Sequence, residues 1–408
     1  MTAKVVLIGT LDTKGPEVKY LRDRLQSLGL KTTVVDTGIL GEPLDIVPDI
    51  SRNEVARYAN ATIEDFRNAG SRGRAVEGMR AALPVLILDL FEKGELDAVV
   101  GLGGAEGAVM SAAGMMVLPV GVPKILISPI ASGYHFFGPL VGTSDMMIVH
   151  SVIDILGINP ISQTIFDNVA AAIKGQLEYG HSLLKPDPSQ AYVAITMLGN
   201  TTRAVMAAKD VLADAGYQAV IFHSNGVGGP AMEQLAEKGL FMGVIDFTTN
   251  EVYDPLVGGI HDGGPHRLET IGLLGIPQII VPGCIDFSVW NTGTVPQALA
   301  GRPVYDHNPE FILVRATAEE MQELGVIFAY KLNQSRAPLQ IAVPTRGLSI
   351  PNTPDGVFWD PAADAGFLNK LKENIREDIP VHTFENHVND PEFGRIVARL
   401  FIEMMENQ

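Results

Sequence analysis

The sequence predicts an α/β protein built from two related domains, each with a mainly parallel sheet. Three observations carry that expectation. The stretch Lys4 to Asp36 reads as an apolar run, a polar turn, an amphipathic helix and a second apolar run, which is the pattern of one βαβ unit. The same grammar returns from Tyr192 to Phe222, in step: Gly216 follows Gly29, and Leu212 follows Leu25, by the same 187 positions (216 − 29 and 212 − 25). At 408 residues, the chain is also too long for one ordinary core. An internal duplication is therefore expected, with an N-terminal domain over 1–182 and a C-terminal domain over 190–408. The proline-bearing stretch His181 to Gln190 would link them.

Within the first half, Lys4–Gly9 is a strand buried on both faces, and Pro16 and Glu17 suit the first turn of the helix that follows. Val18, Leu21, Leu25 and Leu28 recur at helical spacing, and Thr32–Asp36 is the next strand. Ser51–Arg74 reads as helices joined by loops, and Ala75–Lys93 as a longer helix. Strands are expected at Asp97–Val100 and Val122–Ser128. Ser144–Met147 opens an apolar helix that continues to Ile158, and Ile161–Tyr179 is another helix. In the second half, strands are expected at Val244–Phe247, Gln278–Val281, Phe311–Arg315, Leu339–Val343 and Val381–Phe384. Ala318–Asn333 and most of Asp360–Met405 read as helical.

Composition narrows the function classes. A hydrophobic content of 46% fits well-filled cores, and 19% charged residues exclude wholesale disorder. A net charge of −17 argues against bulk binding to nucleic acid or anionic membrane, yet a few backbone N–H groups still suffice for a bound phosphate. One cysteine, Cys284, leaves no intrachain disulfide and fits a reducing compartment. The opening MTAKVVLIGT lacks the apolar region of a signal peptide, so a cytoplasmic location is expected.

Two glycine turns are the main candidates for ligand binding. In Gly9–Gly15, Gly9 permits a sharp turn after a strand, Lys14 can neutralise phosphate, and Asp12 or Thr13 can hold a magnesium-bound water. The spacing departs from the standard P-loop, and simple helix capping by Asp12 and Thr13 explains the residues equally well. Gly101–Gly107 is a strand-to-helix turn with Gly103, Gly104 and Gly107, close to a dinucleotide fingerprint but deep in its domain. In the second half, Asn225, Gly228 and Gly229 form a third turn, for which a plain tight turn is the plainer account. His223, His261, Asp262, His266, Arg267, Asp286 and His307 form a polar set at strand ends and in the glycine-rich loop Gly258–Arg267. Histidine suits proton transfer near neutral pH, with Asp262 as its orienting carboxylate, Arg267 as an anion anchor, and Asp286 and His223 expected within reach of His261 or His266. The five-residue spacing of His261 and His266 in a loop does not fit a helical zinc motif, so no metal is assigned.

Several motifs in order, GTLDTKGPE (9–17), GLGGAEG (101–107), SVIDILGIN (151–159), SNGVGGPAMEQL (224–235), LVGGIHDGGPHRLE (256–269), HNPEFILVRATAEE (307–320), FWDPAAD (358–364) and HVNDPEF (387–393), span nearly the whole chain. Together they resemble an uncharacterised bacterial and plant family that includes the tomato mosaic virus resistance protein, an inhibitor of viral RNA replication. The resemblance implies two Rossmann-like domains, ATP binding by the N-terminal one, and homodimers. The family usually carries Ser and Thr where this chain has Ala105 and Ala108, which removes two hydroxyl donors, and His266 stands where relatives have an acid.

The resulting expectation is a nucleotide-binding protein. ATP, with or without Mg2+, would sit on Gly9, Thr10, Asp12, Thr13, Lys14, Gly103, Gly104 and Gly107. A small molecule would lie in a crevice between the domains, held by Asn225, Gly228, Gly229, Arg267 and Arg346, with His261, His266, Asp286 and His223 as catalytic groups. The alternatives are a nucleotide-free enzyme acting on a small carboxylate or sugar acid by histidine acid–base chemistry, and a non-catalytic binding or inhibitory protein.

Overall fold

Strand β1 (Lys4–Gly9) is buried from Val5 to Gly9, and its alternating side chains feed two cores. Val6 and Ile8 join Leu83, Leu86 and Ala108 on one face, while Val5 and Leu7 join Val18, Leu21 and Ile173 on the other. The chain, here as a computed structural model describing residues 2–131, 138–180, 187 and 189–407, divides into two compact units, Met1–Lys185 and Pro186–Gln408. The expected linker and the segment Ser132–Gly138 lie largely outside the described residues.

In the first unit, β1, β2 (Lys31–Asp36), β3 (Ala98–Leu102), β4 (Lys124–Ser128) and β5 (Met147–His150) form one sheet in the order β2-β1-β3-β4-β5, with every pairing parallel. Helices Leu11–Ser27 and Pro160–Tyr179 cover one face, and Arg72–Glu92 and Ala105–Met116 cover the other. The order reverses direction between β1 and β3, which opens a crevice at the carboxyl ends of those two strands.

The second unit repeats this plan around β6 (Ala191–Met197), β7 (Tyr217–His223), β8 (Gly243–Asp246) and β9 (Gln278–Ile280). Three strands then form a separate antiparallel sheet: β10 (Phe287–Asn291), β11 (Val304–Asp306) and β12 (Phe311–Arg315), in the order β10-β12-β11. The parallel sheet resumes with β13 (Leu339–Pro344) and β14 (Val381–Phe384), giving the order β14-β13-β9-β8-β6-β7. Read from the other end, β7-β6-β8-β9-β13 matches the order of the first unit. The helix ends match as well: Gly29 and Gly216 both close their helices at positive φ, 80° and 86°, where a side chain would be strained.

The fold corrects two expectations. Ser144 to Ile158 is not a helix: Met147–His150 pairs with β4, and Ile148 and Val149 face opposite cores with the period of a strand. The loop beyond it buries Ile155 and leaves Val152 and Leu156 exposed, so the expected apolar helix does not form. The antiparallel sheet is the second correction. Only β12 was expected; β10 is as long, and both it and β11 take their stability from cross-strand pairing that local sequence does not show.

The C-terminal helix Pro391–Glu406 lies across Thr202–Asp214 through Gly394, where an added methyl would come within 1.9 Å of the Ala204 carbonyl oxygen. Gly394→Ala is expected to cost about 1–3 kcal/mol, as overpacking does. Urea unfolding checks this, with Gly366→Ala, which meets the flexible Gln322 side chain at 3.1 Å, as the milder comparison.

Candidate functional site

At the carboxyl edge of β1 and β3, the first unit holds a cleft of about 530 Å³. Its floor is the start of helix Ala105–Met116, whose Gly104 N-cap has no side chain to satisfy the leading N–H groups. Gly104 and Gly107 line the cleft, and a methyl at Gly104 would meet no atom within 4 Å. Thr10, Asp12, Thr13 and Lys14 line it as well. Gly9 and Gly103 do not belong to that lining. A methyl on Gly9 would strike Val18 at 2.7 Å and one on Gly103 the Gly107 backbone at 2.6 Å, so both glycines serve packing.

Several groups at the cleft already have protein partners. Asp12 accepts from the Leu40 and Gly41 amides (3.2 and 3.1 Å) and so fixes the loop after β2. Lys14 leaves helical geometry (φ −126°) and donates to the Ile155 carbonyl, which uses one of its three N–H bonds. Arg67 donates to the Ile39 carbonyl (2.7 Å), and Arg72 pairs with Glu106 (2.5 Å) at the helix start. Thr37 is the exception: it lines the cleft, is wholly buried, and its Oγ1 has no partner among the described residues. Asp36 beside it accepts from Leu11 and Gly38, and burial raises its carboxyl above the usual range. Thr37, Arg67 and Arg72 were absent from the expected site because the chain reaches it by folding back from β2 and the helices beyond it.

The second unit scatters its polar set: Asp262 is exposed and accepts from the Gly264 amide at 2.7 Å, and Arg267 is buried apart from the histidines' pocket. His223, His261, His307 and Asn225 come together in a pocket of about 310 Å³, with Asn200 and Asn308 and with apolar walls from Phe287, Val289 and Leu313. His266 is 81% exposed and pairs with Glu269 at 3.1 Å, outside that pocket. Asp286 is wholly buried and accepts from Ser349 Oγ at 2.7 Å, away from the histidines. Among the described residues no group of three or more His, Cys, Asp or Glu is arranged to hold a metal. Cys284 is buried, and burial holds its thiol well above the usual range, so it is a poor nucleophile.

The arginines take roles other than anion anchors. Arg267 is fully buried between three carboxylates: it is bidentate on Asp246 (2.5 and 2.8 Å), 2.7 Å from Glu251 and 3.2 Å from Glu233. Glu251 in turn accepts from the Gly226 and Gly229 amides at 2.9 and 3.1 Å. The turn 225–229 is therefore an anion cradle filled by the protein's own carboxylate. Gly228 and Gly229 are there because added methyls would collide with the His223 carbonyl and with Glu251, both at 1.9 Å. Arg346 is exposed and pairs with Glu385 at 3.0 Å.

Around His261 the placement is closely determined. Its backbone N–H donates to Asp254 at 2.7 Å, and the Asn250 amide nitrogen donates to its Nδ1 at 3.1 Å, which leaves the ring proton on Nε2. Burial, reinforced by His223 and His307, pushes the imidazole down to about 4, so the ring is neutral at physiological pH. Burial pushes the Asp254 carboxyl up to about 8, against the pull of the His261 and Val289 amides.

Comparison with known proteins agrees with the two-unit division. Residues 3–182 match the N-terminal domain, and 190–405 the C-terminal domain, of the uncharacterised protein family UPF0261. A UPF0261 protein of Clostridium tetani is 37% identical, with both chains covered over 100% of their length. The ToMV resistance protein Tm-1(GCR237) of Solanum lycopersicum is 33% identical over 98% of this chain and 56% of its own. The ToMV susceptible protein tm-1(GCR26) of the same plant matches to the same degree, so the likeness does not single out resistance.

Two outcomes are expected. Arg267→Met strands Asp246, Glu251 and Glu233 together in the interior and should cost about 3–5 kcal/mol in urea unfolding, as removing one partner of a buried pair does. His261 is held below its ordinary 6.5, so its contribution to stability is complete above pH 6.5 and is lost as pH falls through about 4. The melting temperature of His261→Gln should therefore fall less steeply than that of the parent between those pH values.

Proposed function

The chain belongs to the uncharacterised protein family UPF0261, and from that premise we propose that its N-terminal unit binds a nucleotide, ATP, in the cleft between the turns 9–15 and 101–107. The observation that carries the reading is a convergence at the point where the strand order reverses. There the uncapped start of helix Ala105–Met116, an unobstructed Gly104 and the unpartnered hydroxyl of buried Thr37 all line one cleft. Free N–H groups at a helix start and their positive end of the dipole favour phosphate. Lys14, Arg67 and Arg72 add positive charge around the same cleft, while Ile39, Val76 and Met110 offer apolar surface to a base. Asp12 and Glu106 supply the hard oxygens that a magnesium ion accompanying the phosphates requires.

The nucleotide-free reading asked for an arginine to hold a carboxylate. Neither Arg267, buried among Asp246, Glu251 and Glu233, nor Arg346 lines the pocket that holds the histidines, which favours the nucleotide reading over that rival.

Magnesium ATP in excess should raise the melting temperature, since a ligand that binds only the folded chain at 100 times its Kd adds about 2.7 kcal/mol. Gly104→Asp should abolish the rise by putting a carboxylate where phosphate lies, while Gly104→Ala keeps the fold because the added methyl meets open space. No rise at millimolar ATP in the parent would overturn the proposal.

A further inference from the structure

The pocket of the second unit is unlike the cleft of the first. Its polar lining comes from His223, His261, His307, Asn200, Asn225 and Asn308, and no lysine, arginine, aspartate or glutamate contributes to it among the described residues. The carboxylate nearest its chemistry, Asp254, points its oxygens at the backbone of His261 and Val289 and acts from behind as a positioning group. A neutral imidazole and a side-chain amide each present both a donor and an acceptor. A hydroxyl group has the same dual character. A carboxylate or phosphate would instead require fixed positive charge and donors alone.

The deepest polar groups are built rather than incidental. Asn200 is 5% exposed, its Oδ1 accepts from the Ile350 amide at 3.0 Å, and its amide nitrogen has no partner among the described residues. His261 is fixed at both its backbone and Nδ1, which leaves Nε2–H as the donor available to a ligand. Burial keeps this ring uncharged at neutral pH, as a site for an uncharged ligand requires. Opposite them, Phe287, Val289 and Leu313 from the antiparallel sheet form an apolar wall suited to the C–H face of a small ring or chain. Apolar walls with a few fixed polar groups are the usual make-up of a small-molecule site.

We propose that this pocket binds a small, uncharged, polyhydroxylated molecule of the sugar or polyol class, with Asn200 Nδ2 and His261 Nε2 donating to its hydroxyl oxygens. The site is separate from the nucleotide cleft and stands without it. The test is saturation-transfer NMR followed by titration calorimetry on the full chain, with D-ribose, D-xylose and erythritol as neutral probes and D-gluconate as a charged one. At least one neutral probe should bind saturably at millimolar concentration, and D-gluconate should bind about tenfold more weakly or not at all. His261→Ala removes the donor. His307→Trp adds bulk at an exposed position of the mouth, where folding is undisturbed. Each should weaken the neutral probe at least about tenfold, whereas Gly104→Asp, which alters the other unit, should leave it unchanged. The proposal is overturned if no neutral probe binds saturably, if D-gluconate binds as tightly as the neutral probes, or if neither pocket variant changes binding.

Discussion

The second unit depends on one guanidinium. Arg267 gathers Asp246 from the end of β8, Glu251 from the turn that follows, and Glu233 from helix Gly228–Glu237, all of them buried. Three buried carboxylates around one cation would be prohibitive without further donors, and the fold provides them. Gly226 and Gly229 bind Glu251, Leu268 N–H binds Glu233, and Thr196 binds Asp246. Burial still raises the Glu233 carboxyl, the most weakly held of the three. Through these bonds the loop that ends at Arg267 is tied to the sheet, and His261 six residues earlier inherits a fixed place.

The same network explains why two similar halves present different sites. Both parallel sheets share a strand order, and both place glycine turns at their carboxyl ends. In the second half a glutamate lies on the amides of turn 225–229 and satisfies them from within. In the first half the start of helix Ala105–Met116 has no side-chain cap, and the cleft before it remains open. The glycine turn after β7 is thus closed by an internal carboxylate, whereas the one after β3 is a candidate anion site.

Much of the fold was legible because buried parallel strands are continuous apolar runs, as in Lys4–Gly9; the bounds of Phe311–Arg315 in the antiparallel sheet and of the less buried Val381–Phe384 were also read to the residue. Met147–His150 was not, since a short run apolar at every position has the same composition as a buried helix, and only its pairing with β4 decides between them. The sites were legible in type more than in role. Gathering His223, His261 and His307 follows from strand-end positions, but nothing local distinguishes His261, bonded to Asn250, from His266, exposed five residues later. Arg267 looked like an anchor for a ligand because its three partners are 16 to 34 positions away, and spacing alone does not reveal that they are internal.

The antiparallel sheet has a consequence for how this half can change. Its strands enter after β9 and leave before β13, so the six-stranded ladder is already in register on either side of the excursion. One wall of the histidine pocket is made by that excursion, through Phe287, Val289 and Leu313, while Asn200 lies in the turn after β6 and His223 ends the edge strand β7. Scaffold and selectivity are thus carried by different stretches of chain. Residues 287–315 can be recast to admit a different occupant, changing the apolar wall together with His307 and Asn308, while the parallel ladder keeps its alignment.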